Sequence, residues 1–202
     1  MTQHWIDIGN SDCIMIIGSN AAANHPLSFK WVLAAKDKGA KVICVDPRFT
    51  RTAAHADIYS PLRSGTDIAF INSIINYALE HDLIQRDYVV THTNASFLLD
   101  PEFSFAEGVF GEIKDGKYTK EHWAYQLDEA GLYRKDPSLT DPNCVYQRLK
   151  RHMSRYTFEM ASGITGAPAD RIREVAEAIC ATHRPEQSAT IMYAMGTTQH
   201  TH

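Results

Sequence analysis

A chain of 202 residues with 44% hydrophobic and 22% charged residues is long enough to bury a sizeable core without disulfide or metal support, and this composition excludes collagen, coiled coil and intrinsic disorder. Twenty Lys and Arg against 24 Asp and Glu give a net charge of −4, so the global positive field of a dedicated nucleic-acid binder is absent. No run of about 18 apolar residues exists, and nothing in the chain is expected to span a membrane.

Met1–Asn10 has neither the basic nor the apolar region of a signal peptide, and Trp5-Ile6-Asp7-Ile8 reads as ordered chain entering a fold. Cys13-Ile14-Met15-Ile16-Ile17 is a continuous apolar run stopped by Gly18, the pattern of a strand covered on both faces. Pro26 then opens a helix whose mainly apolar face holds Phe29, Val32, Leu33 and Lys36 and which Gly39 closes. Lys41–Val45 is a second buried strand, so residues 12–46 form a βαβ unit with a parallel sheet. After a polar turn, Ala56-Asp57-Ile58-Tyr59 reads as a third short strand. A helix follows, with Ile68, Ile71, Ile75 and Leu79 at helical spacing and Thr66 as its cap.

A second helix is predicted from Gln85 to about Thr91, after which the pattern breaks. Residues 97–143 read as an ordered, aromatic-rich insertion containing a hairpin turn at Lys114-Asp115-Gly116-Lys117. Helices are predicted over about 145–154 and 168–182, the latter with an apolar stripe of Ile172, Val175, Ala176, Ile179 and Cys180. Ala189–Ala194 is the last strand, and Met195–Gln199 follows it as a polar loop with no closing helix. The expected fold is α/β, a three-layer Rossmann-like domain over residues 1–202 with a mainly parallel sheet and the insertion at about 97–143. Both ends read as cut.

The four cysteines, Cys13, Cys44, Cys144 and Cys180, form no CxxC pair, and buried free thiols are expected. Among ten histidines none forms HExxH, and His200-Thr201-His202 reads as part of an interrupted motif rather than a metal site. No catalytic residue and no metal ligand are assigned.

In an open parallel sheet ligands collect at the carboxyl ends of the strands, where loops meet helix N-termini. Gly18-Ser19-Asn20 follows the first strand. Its small residues admit a ligand to the backbone, or simply serve packing, and it is not GxGxxG. Asp46-Pro47-Arg48 follows the second, with Asp46 placed for ribose hydroxyls and Arg48 for phosphate, or the two serving as a surface pair. Asp67 complements the start of a helix, and its carboxylate equally suits the donor edge of guanine. Met195-Gly196-Thr197-Thr198-Gln199 offers a flexible glycine and polar groups for a planar heterocycle.

Taken together, Ile17–Ala22 with His25-Pro26, Val45–Ala53, Arg63–Ala69 and Met195–Thr201 resemble the molybdopterin oxidoreductase family in order and spacing. Within that family the likeness is to large subunits of respiratory, selenocysteine-type formate dehydrogenases. Trp123–Asp128, Leu139–Val145 and Ser154–Thr157 resemble a segment of that subgroup. The resemblance implies binding of bis(molybdopterin guanine dinucleotide) with molybdenum or tungsten. By match, Gly18, Ser19 and Asn20 lie on the pyrophosphate side, Asp46 and Arg48 on the guanosine, Gly65 and Asp67 on the guanine. Met195 and Gln199 fall at a pterin, and Gly196 between them is also assigned to cofactor binding. Ala23 departs from the pattern, where an acidic residue is frequent.

The same resemblance implies a complete subunit with a 4Fe-4S cluster and a selenocysteine or cysteine upstream of the position matching Met1. A start just after a selenocysteine codon read as stop is the expectation for the origin of the chain. Formate as substrate, an iron–sulfur electron-transfer subunit as partner and the periplasm as compartment are likewise implied for the whole. Apolar surface is expected to be exposed where the rest of the subunit belongs. Two rivals stand beside this: a generic nucleotide-binding domain, and a non-catalytic interaction module using the aromatic insertion.

Overall fold

Two runs of five residues, CIMII and KVICV, set the centre of the fold. The computed structural model describes residues 3–106, 109–110 and 112–199, in two compact units: Met1–Ile84 with Met153–His202, and Gln85–His152.

The first unit enters through a 3-10 turn at Trp5–Asn10 and forms β1 (Cys13–Ile17), α1 (Ala21–Asn24), α2 (Pro26–Asp37) and β2 (Lys41–Val45). It continues through α3 (Arg51–His55), β3 (Ile58–Ser60) and α4 (Asp67–Glu80), then resumes with α5 (Phe158–Thr165), α6 (Ala169–Cys180), β4 (Ala189–Tyr193) and α7 (Met195–Thr198). The four strands are parallel in the order β3-β2-β1-β4, with Ile17 opposite both Val45 and Tyr193.

Side chains alternate across a strand, and β1 feeds two cores. Cys13, Met15 and Ile17 join Phe70 and Ile74 of α4, Phe158 of α5 and Ile172 and Val175 of α6. Ile14 and Ile16 join Phe29, Val32 and Ala35 of α2. The result is the expected three-layer α/β arrangement. Each fully buried Ile or Phe contributes about 1.5–3 kcal/mol relative to exposure, so β1, buried along its whole length, contributes strongly to stability.

Several local expectations are corrected. Leu33 is partly exposed while Phe29 and Val32 are buried, and Lys36 on the same helix reaches instead to Asp57. On α4 the series beginning at Ile68 marks the helix but only part of its inner face: Ile68 is exposed, Ile71 packs against the core and Leu79 is buried, while Ala69, Phe70, Ser73 and Ile74 complete the inward side. Both sides of that helix are apolar, so periodicity alone could not choose between them. Thr66 makes no side-chain bond to the helix amides; its hydroxyl donates to Arg63 O at 2.7 Å. The third strand starts at Ile58 rather than Ala56, because Ala56 ends α3 and the Asp57 carboxylate accepts from Val42 N at 2.8 Å. The turn before it contains α3, capped by the Thr50 hydroxyl accepting from Ala53 N, and α5 was not predicted.

β4 lies at the sheet edge. On the face where β1 is covered by α4–α6, its Ile191 and Tyr193 are 54% and 66% exposed. The four cysteines are free and buried. Burial pushes the Cys13 and Cys180 thiols up to about 11 and Cys44 to about 12. Among the described residues no helix is long and apolar enough to cross a membrane.

The second unit contains the insertion. Helices Arg86–His92 and Val145–Met153 flank it, and Glu112–Lys114 pairs antiparallel with Lys117–Thr119 around Asp115-Gly116, both with positive φ as a two-residue hairpin turn requires. Phe97, Tyr125 and Tyr133 form a ring cluster with centroids 5.1–5.5 Å apart. The Asp136 carboxylate accepts from the Ser138 hydroxyl and from the amides of Ser138, Thr140 and Asp141. These bonds, the Ser138 hydroxyl first, hold the Asp136 carboxyl below the usual range.

Two measurements check this fold. Iodoacetamide at pH 8 is expected to leave all four thiols of the native chain unmodified and to label them on unfolding, since buried thiols of raised pKa supply no thiolate. The second concerns Asp57: burial raises its pKa, but the Lys36 hydrogen bond, the Val42 amide and nearby positive charge outweigh it and leave the carboxyl below its ordinary value. That contribution is present above about pH 4, the unfolded carboxylate range, and is lost as pH falls through the folded pKa. Asp57→Asn is therefore expected to lower stability by about 1 kcal/mol at pH 7, with the difference closing only in denaturant melts run below about pH 4.

Candidate functional site

Strand order reverses between β1 and β4: the chain goes outward from β1 to β2 and β3, then returns to the other side. At such a reversal the loops leaving the two strands diverge and open a crevice at the carboxyl ends. Here the first residue after β1 is Gly18, and the β4 loop brings Gly196 against it. Gly196 N donates to Gly18 O at 3.2 Å, and Gly18 N donates to Val45 O at 3.0 Å. Gly18 has φ +58°, and a Cβ on it would lie 2.9 Å from Gly196 C; one on Gly196 would lie 2.5 Å from Gly18 O. No side chain fits at either position without moving backbone.

Beside this seam lies a cavity of about 410 Å³, within the range of small-molecule sites. Its lining takes Gly18 from the first loop, Asp46 and Arg48 from the second, Asp67 from the start of α4, and Met195, Gly196 and Gln199 from the last. Four loops far apart in sequence thus converge on one cavity. Pro47, Leu62, Arg63 and Ser64 complete the lining and were not assigned there. Arg63 and Ser64 stand inside the stretch that carried the family resemblance, so the signal was present; Leu62 becomes visible only once β3 is placed.

Each polar group has an identifiable mount. One Asp46 carboxylate oxygen accepts from Arg48 N at 2.9 Å, and the Tyr59 hydroxyl donates to Asp46 O at 3.0 Å. The loop is thereby folded back on itself with the Arg48 side chain exposed. Arg63 N donates to Thr165 O at 2.8 Å, and its guanidinium to Ile164 O at 3.1 Å. Asp67 is the first residue of α4, half-buried, where the free amides of a helix start favour negative charge. Among the described residues neither Arg48 nor Asp67 is ion-paired. The rim carries two carboxylates and two guanidiniums, acceptors for a donor edge and donors for an anion.

Three assigned residues do not line the cavity: Ser19, Asn20 and Gly65. The Asn20 side-chain oxygen accepts from the Thr52 hydroxyl at 3.1 Å and Thr52 N at 3.4 Å, and Thr52 Oγ1 in turn accepts from Ala22 N at 3.0 Å. This chain ties the first loop to α3. Gly65 has φ +79° and makes the turn into α4. The last loop is not open chain, as was expected, but the helical turn α7. The Thr197 and Thr198 hydroxyls donate to Ala194 O at 3.0 and 3.4 Å, and Gln199 N closes on Met195 O at 3.1 Å. His200, Thr201 and His202 lie outside the described residues.

The fold and site define an α/β protein with a polar cavity at the switch point of a parallel sheet. The chain belongs to the molybdopterin oxidoreductase family, whose profile matches residues 1–202. It is 53% identical over 203 residues to the formate dehydrogenase subunit alpha of Megalodesulfovibrio gigas, covering 100% of this chain and 20% of that protein. It is 45% identical over 204 residues to the nitrate-inducible formate dehydrogenase major subunit of Escherichia coli (strain K12), again 100% and 20%. The F420-dependent formate dehydrogenase subunit alpha of Methanocaldococcus jannaschii is 33% identical over 202 residues, covering 100% of this chain and 22% of that one. Acetylene hydratase from Pelobacter acetylenicus shares the fold, with a TM-score of 0.58 and 24% identity over 96% of this chain and 22% of that chain. The chain spans about one fifth of the length of the relatives it matches.

The seam is directly testable. Gly196→Ala is expected to cost about 1–3 kcal/mol, as overpacking does, whereas Ser19→Ala stays within about 0.5 kcal/mol. Chemical denaturation of the two variants reads the contrast.

Proposed function

We propose that residues 1–202 form a cofactor-binding segment, with the insertion at about 97–143, and that the cavity holds a guanine dinucleotide arm of a molybdopterin cofactor. The observation that supports this most is that two carboxylates and the exposed Arg48 guanidinium line one cavity beside a side-chain-free backbone seam at the switch point. A guanine dinucleotide asks for that set: donors for its pyrophosphate, acceptors for its base and ribose. The residues present therefore fit the group. In this reading Gly18 admits the pyrophosphate to the backbone, with Ser19 and Asn20 shaping that loop. Asp46 takes ribose hydroxyls, Arg48 the phosphate, and Asp67 the guanine donors, with Gly65 making the turn that presents it. Met195, Gly196 and Gln199 lie toward a pterin.

The complete subunit would be the catalytic subunit of a formate dehydrogenase, binding bis(molybdopterin guanine dinucleotide) with molybdenum or tungsten. When bound, that group supplies the oxidation of formate to carbon dioxide, with electrons leaving toward a 4Fe-4S centre and an iron–sulfur partner subunit. The residues of this chain bind and orient; none is placed at the reacting atoms. The uncovered face of β4 suits contact with the remainder of the large subunit, and the periplasm is the compartment this reading gives the whole. A nicotinamide-binding alternative lacks support from the first loop, where Gly18 is not followed by the spacing of GxGxxG.

Titration of the chain by calorimetry tests the reading: GDP is expected to bind in preference to ADP and NAD. Asp67→Ala should reduce the preference for GDP over ADP roughly tenfold, the scale of one lost bidentate base contact. In a complete subunit the same substitution lowers cofactor content and activity together. Unchanged cofactor occupancy in that variant contradicts the role given to Asp67.

A further inference from the structure

Arg63 lines the cavity, yet its bonds lead away from it. Its backbone N–H donates to Thr165 O at 2.8 Å, and its guanidinium donates to Ile164 O at 3.1 Å and Gly163 O at 3.4 Å. These are the last carbonyls of α5, which have no partners within their own helix and carry its partial negative charge. One residue thus caps a helix end through main chain and side chain together. Gly166, which ends α5 at φ +74°, makes room for this: a Cβ there would stand 3.3 Å from Arg63 Nε.

The same residue begins the turn that presents Asp67. The Thr66 hydroxyl donates to Arg63 O at 2.7 Å, Gly65 turns the chain at φ +79°, and Phe70 N closes on Thr66 O at 3.3 Å. Asp67 is four residues from Arg63 and opens α4, so the place of its carboxylate follows from where the turn is anchored. α5 and α4 both pack on the core formed by Phe70, Ile74, Phe158 and Ala161. The anchor therefore stands on a packed helix at its far end.

We propose that Arg63 is a positioning residue, a clamp between the C-terminus of α5 and the Arg63–Asp67 turn that sets the base preference of the cavity without itself holding phosphate. This rests on the guanine reading given above. The two arginines of the rim divide the work. Arg48 has an exposed guanidinium with no ion pair among the described residues and is free to meet an anion. Arg63 is also exposed, but its guanidinium Nη1 donates to two carbonyls of α5.

The test compares Arg63→Ala, Arg63→Lys and the parent chain for binding of GDP, ADP and inorganic pyrophosphate, with melting curves alongside. Arg63→Ala is expected to lower the GDP-to-ADP affinity ratio roughly tenfold while pyrophosphate affinity stays within about twofold and the chain still unfolds cooperatively. Arg63→Lys, which keeps a donor but not the planar fork, restores the ratio in part. An unchanged ratio overturns the clamp. So does a parallel loss of GDP, ADP and pyrophosphate binding, which identifies Arg63 as a phosphate contact. Should the parent chain show no guanine preference, the guanine reading fails by itself, and amide exchange then decides the clamp. Faster exchange at Phe70 and at Gly166 in Arg63→Ala than in Asp67→Ala supports it, and equal exchange overturns it.

Discussion

The site depends on two backbones coming into van der Waals contact. Gly18 and Gly196 are 178 positions apart in the chain, yet each occupies the space a Cβ of the other would need. The parallel register of β1 and β4 places them there: Ile17 stands opposite Tyr193, and each strand ends within three residues of its glycine. At a switch point the flanking loops would otherwise diverge. The Gly196 to Gly18 hydrogen bond joins them across one side of the crevice while the other side stays open as the cavity. A larger residue at either position would push the loops apart and displace Met195 and Gln199, which the short helical turn carries on the same segment.

Most of the sheet and its helices could be read from the sequence because buried parallel strands are unbroken apolar runs, and β1 and β2 are two of the clearest. α6 was equally legible: of its predicted stripe Ile172, Val175, Ala176 and Cys180 are buried, and Ile179 is partly buried against the same core. What failed were choices that tertiary contact makes. α4 carries apolar residues on two sides, and the inner one was set by α5 and α6, not by periodicity. Thr66 has the chemistry of a helix cap, but the Arg63 carbonyl competes for its hydroxyl and wins. α5 is short and contains Ser162, Gly163 and Thr165, weak helix formers that packing holds in place.

At the site the contrast is similar. Loops that follow strands were found because the fold dictates where strand ends gather, and seven of the ten assigned residues meet at one cavity. Asn20 misled because its chemistry suits a ligand as well as a neighbour; the neighbour is Thr52, fully buried and 32 residues on. Arg63 was passed over for the opposite reason. Its partners are carbonyls of a helix about 100 residues away, and no local pattern announces them.

The charge arrangement also bears on specificity. A rim of guanidiniums alone would hold any phosphate ester, whatever its base, and specificity requires something that a wrong ligand finds unfavourable. Carboxylates provide it, since they accept hydrogen bonds and repel both phosphate and ring-nitrogen lone pairs. Guanine offers two N–H donors on one edge, whereas adenine places an acceptor nitrogen at the same point, so a fixed carboxylate there rewards one base and penalises the other. On the proposed guanine reading, the two roles open to Asp67 are compatible. The helix start that favours a negative charge also aims it, and the stability gained by placing an acid first in α4 supports the geometry that discrimination needs.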